Sequence, residues 1–517
     1  MFKNYLKIAW RNLWRQKGFS LINIGGLAIG LTAFFLILLY VSFEMSYDNF
    51  HTKGDNIYRV VTDMQTPTDV NEIDRPSIAV PPHLEKEFEE IEKAVRVMDI
   101  TLDIRRNDIK FKEPNAIAVD SAFFGVFDFE LTQGDKRSVL KEPFSIVLTE
   151  EAANKYFGNG PAIGQTLKIK NEDIDDRNFT VTGIMEKMPA NSHIQADILI
   201  SMTTYSQGVM PEFDNLWGLY DPSAYVLLNP ASDPKRLESK FPDFIERNIG
   251  EDLRSDKMSV ALSLEPLKTV YLSSTRGGKI SGDINLIYIF SVVALFILII
   301  ACINFINLTT ARSGERAKEV GVRKVIGAGK WQLGFQFIGE SVIICIIAFI
   351  FTVLLTVLVL PQFSVLAGKT IVTSVSDISG HFAVLFLIAL AVGVLAGSYP
   401  AFVLSSFRPV SVLKGSFSTG NKGVSLRKVL VVAQFSISIA LMVGTVVIYN
   451  QMNFMQHQEL GFDKEQLVVM ETDISPQLDV LKEDLKKLPG VVSTGLSSSV
   501  PGISNNSAYS IIENNMG

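Results

Sequence analysis

Five long runs without a charged residue interrupt the chain, at 18–43, 284–311, 341–368, 378–407 and 429–458. Each exceeds the roughly 20 residues that a helix needs to cross the hydrocarbon core of a bilayer. Their centres read LAIGLTAFFLILLYV, IYIFSVVALFILIIACINFI, SVIICIIAFIFTVLLTVLVL, FAVLFLIALAVGVLAG and VLVVAQFSISIALMVGTVVIY. One such run fits a buried helix of a water-soluble fold, whereas five predict a membrane bundle. The first follows basic residues as a signal peptide does. Its uncharged stretch is longer than a signal core and no A-x-A-like site follows, so it reads as a retained span.

Between the first two runs the rhythm changes. Short alternating stretches, FSIVLT (144–149), TLKIK (166–170), NFTVTGIM (178–185) and SAYVLLN (223–229), predict strands. PPHLEKEFEEIEKAVRV (81–97) places Leu84, Phe88 and Ile91 at helical spacing behind a proline and predicts one helix. LTEEAANKYFG (148–158) predicts another, with Thr149 as N-cap and Gly158 at its end. The expected fold is a multi-pass α-helical membrane protein of about five spans with a large α+β extracytoplasmic domain.

Composition agrees: 47% of the 517 residues are hydrophobic while 20% remain charged, the mixture of spans joined to water-exposed parts. Charge gives the bundle a direction. The segments 1–17, 309–330 and 408–428 hold 16 of the 48 Lys and Arg but only 2 of the 54 Asp and Glu, and 369–377 holds only Lys369 and Asp377. Basic segments prefer the cytoplasm, so the N-terminus is expected inside and residues 44–283 outside. The rest of the chain, 32 basic against 52 acidic residues, is acidic, which argues against nucleic-acid binding.

Candidate chemistry is sparse. Cys302 and Cys345 lie inside apolar runs, and His51, His83, His193, His381 and His457 are scattered without metal-ligand spacing. Asp48, Asp55, Asp120 and Asp128 are dispersed and read as a solvated acidic surface rather than a catalytic pair. No catalytic or metal residue is expected. Gly26-x-x-x-Gly30 and Gly393-x-x-x-Gly397 have the spacing of close helix packing in membranes, and equally of ordinary glycine tolerance there. Glu340, at the edge of the third span, reads as neutralising a basic neighbour or reaching to the interface.

The chain also echoes itself. LRKVLVVAQFSISIALMVGTVVIYNQ repeats the plan of the basic N-terminus and first span, and LDVLKEDLKKLPGVVST (478–494) resembles HLEKEFEEIEKAVRV (83–97) as a charged amphipathic helix. The expectation is a two-copy plan whose second copy is incomplete.

Residues 315–332 read ERAKEVGVRKVIGAGKWQ. The ending GAGK evokes a phosphate loop, but that pattern puts glycine where Lys324 stands and Ser or Thr where Trp331 stands. A charged helix is expected instead, with Glu319 able to pair with Arg323, ended by Gly327 and a turn at Ala328 and Gly329. A short charged helix between two spans is shaped to lie against another protein.

At these residues the sequence resembles the FtsX/MacB-type permeases of ABC transporters. EVGVRKVIGAGKWQLGFQFIGESVI is similar to that family's signature through Glu319, Gly321, Arg323, Lys324, Gly327, Ala328, Lys330, Glu340 and Ser341, and LAGSYPAFVLSSFRPVSVLKG (395–415) resembles the end of its fourth span. KNYLKIAWRNLWRQKGFSLINIGGLAIG with FHTKGDNIYRV resembles the long two-copy permeases of Bacteroidetes-type bacteria, with a second copy that is expected to be truncated. The resemblance implies a cytoplasmic basic N-terminal helix (1–17), spans at 18–43, 284–308, 334–360, 381–404 and 429–450, and a MacB-like periplasmic core domain at 44–283. It further implies a coupling segment (309–333), a cytoplasmic linker (405–428) and an incomplete second periplasmic domain (451–517). The coupling segment, with Arg316, Glu319, Gly321, Arg323, Lys324, Gly327, Ala328 and Lys330, would dock a separate cytoplasmic ABC ATPase, expected as a dimer. ATP and Mg would bind in that partner, and no cofactor in this chain. The expected function is the inner-membrane permease subunit that couples ATP hydrolysis to movement of the periplasmic domain for export or extraction, with a periplasmic adaptor, an outer-membrane channel and membrane lipid as further partners. The alternative is a non-transporting mechanotransmitter or sensor acting on a periplasmic hydrolase or signalling partner. An enzyme is not expected.

Overall fold

The structure is a computed structural model that describes residues 11, 17–106, 109–276, 281–311, 320, 322–371, 375–406, 421–458, 466–470 and 477–497. Its principal helices are α1 (Lys17–Glu44), α2 (Val80–Glu87), α3 (Glu150–Phe157), α4 (Phe241–Ser255), α5 (Ile284–Ala311), α6 (Lys330–Ala367), α7 (Val375–Ser406), α8 (Asn421–His457) and α9 (Leu478–Lys486). Among the described residues α1, α5, α6, α7 and α8 are long and apolar enough to cross a membrane. At 28 residues, α1 and α5 are each about 42 Å long. The chain forms two compact units, Met1–Val443 and Gly444–Gly517, with the division inside α8.

In the first unit α1 packs on α5 and α6, and α6 on α7. Leu27, Leu31, Phe35, Cys345, Ala348, Leu385 and Ala389 fill the space between them. In lipid the drive is close packing rather than water exclusion, and backbones do approach closely. A methyl group on Gly30 would sit 2.6 Å from the Ala301 Cβ, and one on Gly397 would sit 2.8 Å from the Ser341 Cβ.

The domain between α1 and α5 is built on strands β1 (Ile57–Gln65), β2 (Val70–Ile73), β3 (Ile91–Arg106), β4 (Ile109–Val119), β5 (Leu131–Gln133), β6 (Ser145–Thr149), β7 (Thr166–Lys170), β8 (Arg177–Met185), β9 (Ile198–Ser201), β10 (Ser223–Leu228) and β11 (Ser259–Pro266). One end of the sheet runs β11-β1-β10-β3, with β2 on the edge of β1. Helices α2 and α4 cover it through Leu84, Phe88, Phe241, Phe244 and Ile249. The other end closes on itself: β3 pairs β4, then β9, β6 and β8, and β7 bridges β8 back to β3. The result is a six-stranded barrel filled by Leu102, Ile104, Ile146, Leu148, Leu167, Phe179, Val181 and Ile200. β3 belongs to both halves. It pairs β10 over 91–97 and β4 over 97–106, with a bulge between Ile100 and Leu102.

The four predicted strands form, as β6, β7, β8 and β10. The predicted helix at 148–158 also forms: the Thr149 side chain accepts from the Ala152 N–H and Gly158 follows the last turn. The single helix expected over 81–97 does not. α2 ends at Glu87, Phe88 turns extended, and Ile91 begins β3. The helical spacing misleads because β3 is covered on both faces. Ile91 and Ala94 face one core while Val95 and Val97 face another, so apolar residues cluster without simple alternation. In the second unit α9 stops at Lys486 rather than running to 494. Pro489 lies just beyond, and a proline disfavours helical backbone in the residue before it.

Candidate coupling site

At the bundle end remote from the domain, residues 322–325 form a helical turn. Gly327 (φ +101°) closes it, with the Gly327 N–H donating to the Lys324 carbonyl (3.1 Å) and the Ala328 N–H to Arg323 (3.0 Å). These are the two bonds of a Schellman turn. The Gly329 N–H then donates to Gln332 Oε1 at 3.2 Å, and α6 starts at Lys330. GAGK is thus a helix–turn–helix joint.

The joint is seated by a small core of Val320, Leu333, Phe337 and Ala401. Arg323, expected on the docking surface, turns inward: its Nη1 donates to Gln336 Oε1 (2.8 Å), and Gln336 Nε2 donates to Glu340 Oε1 (3.2 Å). Glu340 is buried and linked to Arg323 through Gln336. The outer face carries Val322, Val325, Ile326, Trp331 and Phe335, with Ile326 80% and Trp331 73% exposed. Lys324 and Lys330 flank this patch, and burial followed by the Lys330 charge lowers the Lys324 pKa. An apolar patch edged with cations suits an acidic protein partner. Arg316, Glu319 and Gly321 lie outside the described residues, and with them the expected Glu319–Arg323 pair.

The expected packing glycines all sit at helix contacts. Gly26 approaches Asn304 and Gly30 approaches Ala301 on α5, while Gly393 faces Val342 and Gly397 faces Ser341 on α6.

The opposite end holds polar clusters that the sequence pattern does not predict. Lys369 Nζ donates to Glu44 Oε1 (2.5 Å) and to the Tyr271 hydroxyl (2.6 Å), and that hydroxyl donates to Glu44 Oε2 (2.6 Å). Glu44 is 2% exposed at the end of α1. Burial, then the hydrogen bond to Glu44, pushes the Tyr271 pKa up, so the hydroxyl remains a donor. The Tyr47 and Tyr271 rings stack with centroids 3.4 Å apart. Nearby, Ser42 Oγ lies 2.9 Å from His381 Nε2, and Asn191 Nδ2 donates to the Ser46 carbonyl at 3.0 Å.

Asp48, read as surface, is buried. It lies 2.7 Å from His193 Nδ1, and His193 Nε2 is 2.7 Å from the Tyr225 hydroxyl. The sequence carried one usable signal for the first cluster. Glu44 and Lys369 are the charged residues that bound the first and third uncharged runs; each alone reads as an interfacial side chain, and only the fold pairs them.

A family model of the MacB-like periplasmic core domain matches residues 20–243, and one of the FtsX-like permease C-terminal segment matches 291–409. The macrolide export ATP-binding/permease protein MacB of Bdellovibrio bacteriovorus is 24% identical over 271 residues, covering 52% of this chain and 38% of that protein. The chain therefore matches well under half the length of that relative. The ABC transporter permease YvrN of Bacillus subtilis is 22% identical over 431 residues, covering 79% of this chain and 99% of YvrN. The crystal structure of the periplasmic region of MacB from Actinobacillus actinomycetemcomitans aligns at 15% identity with a TM-score of 0.29, covering 40% of this chain and 88% of that one.

Proposed function

We propose that this chain, an ABC transporter permease of the FtsX/MacB type and a multi-pass membrane protein with a periplasmic core domain, couples a separate cytoplasmic ATPase to movement of that domain. An ABC permease implies an ATPase subunit as partner. The patch of Val322, Val325, Ile326 and Trp331, with Lys324 and Lys330 beside it, is where that subunit docks. The N-terminus and the 309–333 segment face the cytoplasm, and the movement serves export or extraction of a substrate.

The observation that supports this reading is the seating of the 322–330 joint. It is rigidly closed by the Gly327 turn, anchored through Arg323 to α6, and yet presents large apolar side chains outward. Such exposure is costly in water without a partner. The expected result is that Lys324→Glu with Ile326→Ser abolishes co-purification of the ABC ATPase and its stimulation, while membrane insertion is retained. Ile326 is 80% exposed and retained membrane insertion reports an intact fold, so unchanged stimulation would sink the assignment.

A further inference from the structure

We propose that the third membrane helix, α6, is itself a strut of the coupling machinery, and that Lys369 is the positioning residue fastening it to the periplasmic domain. This rests on the coupling reading above and names a route within it. Helices α1 and α5 are joined to the domain by the backbone. α6 has no such covalent junction, yet each of its ends is held by a polar clasp.

At its docking end, Gln336 accepts from Arg323 and donates in turn to Glu340. At its far end, Gly368 (φ +64°) repeats the turn seen at Gly327: the Gly368 N–H donates to Val365 (3.1 Å) and the Lys369 N–H to Ser364 (3.2 Å). That turn leads directly into Lys369. The helix that carries both clasps has 38 residues and is about 57 Å long.

The Lys369 clasp joins three elements. Glu44 ends α1, where the helix dipole disfavours a carboxylate, and its burial removes water as a counter-ligand. It therefore depends on a cation, which Lys369 supplies from the turn that caps α6. Tyr271, from the chain leaving β11, donates to the same carboxylate. Lys369 Nζ also stands 5.4 Å and 5.3 Å from the Tyr47 and Tyr271 ring centroids, within cation–π range. An axial shift or tilt of α6 must carry Tyr271 with it or break all of these contacts together.

The test uses the full-length permease in phospholipid nanodiscs without any ATPase, read by hydrogen exchange at residues 267–273. Arg323→Glu breaks the docking-end clasp. It is expected to raise exchange at 267–273 on the order of tenfold. In a Lys369→Met background, Arg323→Glu adds no further change; in Lys369→Arg, which keeps the cation, the response returns. Tyr271→Phe keeps the ring stack, removes the hydroxyl and also uncouples, which guards against misfolding of Lys369→Met. An equal response to Arg323→Glu with and without Lys369, or no response in the native background, overturns the strut. Because no ATPase is present, that failure leaves the docking reading standing, and failure of docking leaves this measurement unaffected.

Discussion

The periplasmic domain and the membrane bundle solve one packing problem with opposite means. In the domain, central strands such as β6 and β9 are buried throughout, large side chains fill the cores, and buried polar groups find partners across long sequence distances: Arg96 is held by Asp120 and Asp214, and Arg59 by Glu265. In the bundle, apolar side chains also fill the core, but glycines set how close the helices come. Gly30 and Gly397 bring backbones together, and Thr32 and Thr352 bond back to carbonyls of their own helices. Burial from water rewards volume, whereas burial in lipid rewards close approach. The interface between the two regimes needs charge, and the structure places Glu44 and Lys369 there.

The sharpest way to separate the regimes is acid. His51 is buried among Phe50, Phe127 and Phe129, and its Nδ1 accepts from the Asp128 N–H at 3.1 Å. Burial lowers its pKa to about 4. The unfolded chain takes up a proton near pH 6.5 while the folded domain resists until about pH 4. Stability is therefore complete above pH 6.5 and falls as pH drops through this window, by about 3 kcal/mol at its lower end. Thermal unfolding of the domain between pH 7 and 4 should show this loss, and His51→Gln should flatten it. A bundle that lost stability in parallel would erase the distinction.

A second test adds volume where volume is unwelcome. Gly397→Val enlarges an apolar contact yet is expected to destabilise the α6–α7 pairing by about 1–3 kcal/mol, read as a lower unfolding midpoint in detergent. A stabilising outcome would mean that the bundle follows the rule of the domain. The smallest effect is Thr149→Ala, which removes the N-cap of α3 and should cost the domain about 1 kcal/mol, leaving the bundle unchanged.

Legibility in the sequence follows the same division. The spans were readable because lipid demands unbroken apolar runs, and so were β6, β7, β8, β10 and the capped α3, whose signals are local. The stretch 91–97 was misread because burial on two faces removes the alternation that marks a strand. Barrel closure through β7 left no local mark. Asp48 with His193, and Glu44 with Lys369, were invisible for a simpler reason: the partners lie 145 and 325 residues apart, and a lone charge at a span edge has an adequate explanation without a partner. The inward turn of Arg323 is not legible locally, because its receiver Gln336 sits beyond the turn on the next helix.

The long strand β3 has a mechanical consequence. Its first half is woven into the open sheet and its second half into the barrel wall, so the two lobes share a single beam rather than a linker. Sixteen residues of strand make that beam about 53 Å long, cross-braced by β4, β7 and β10. A domain framed in this way has little internal compliance. Any displacement at its base would be carried to its tip by the body as a whole, as along a lever rather than through a spring.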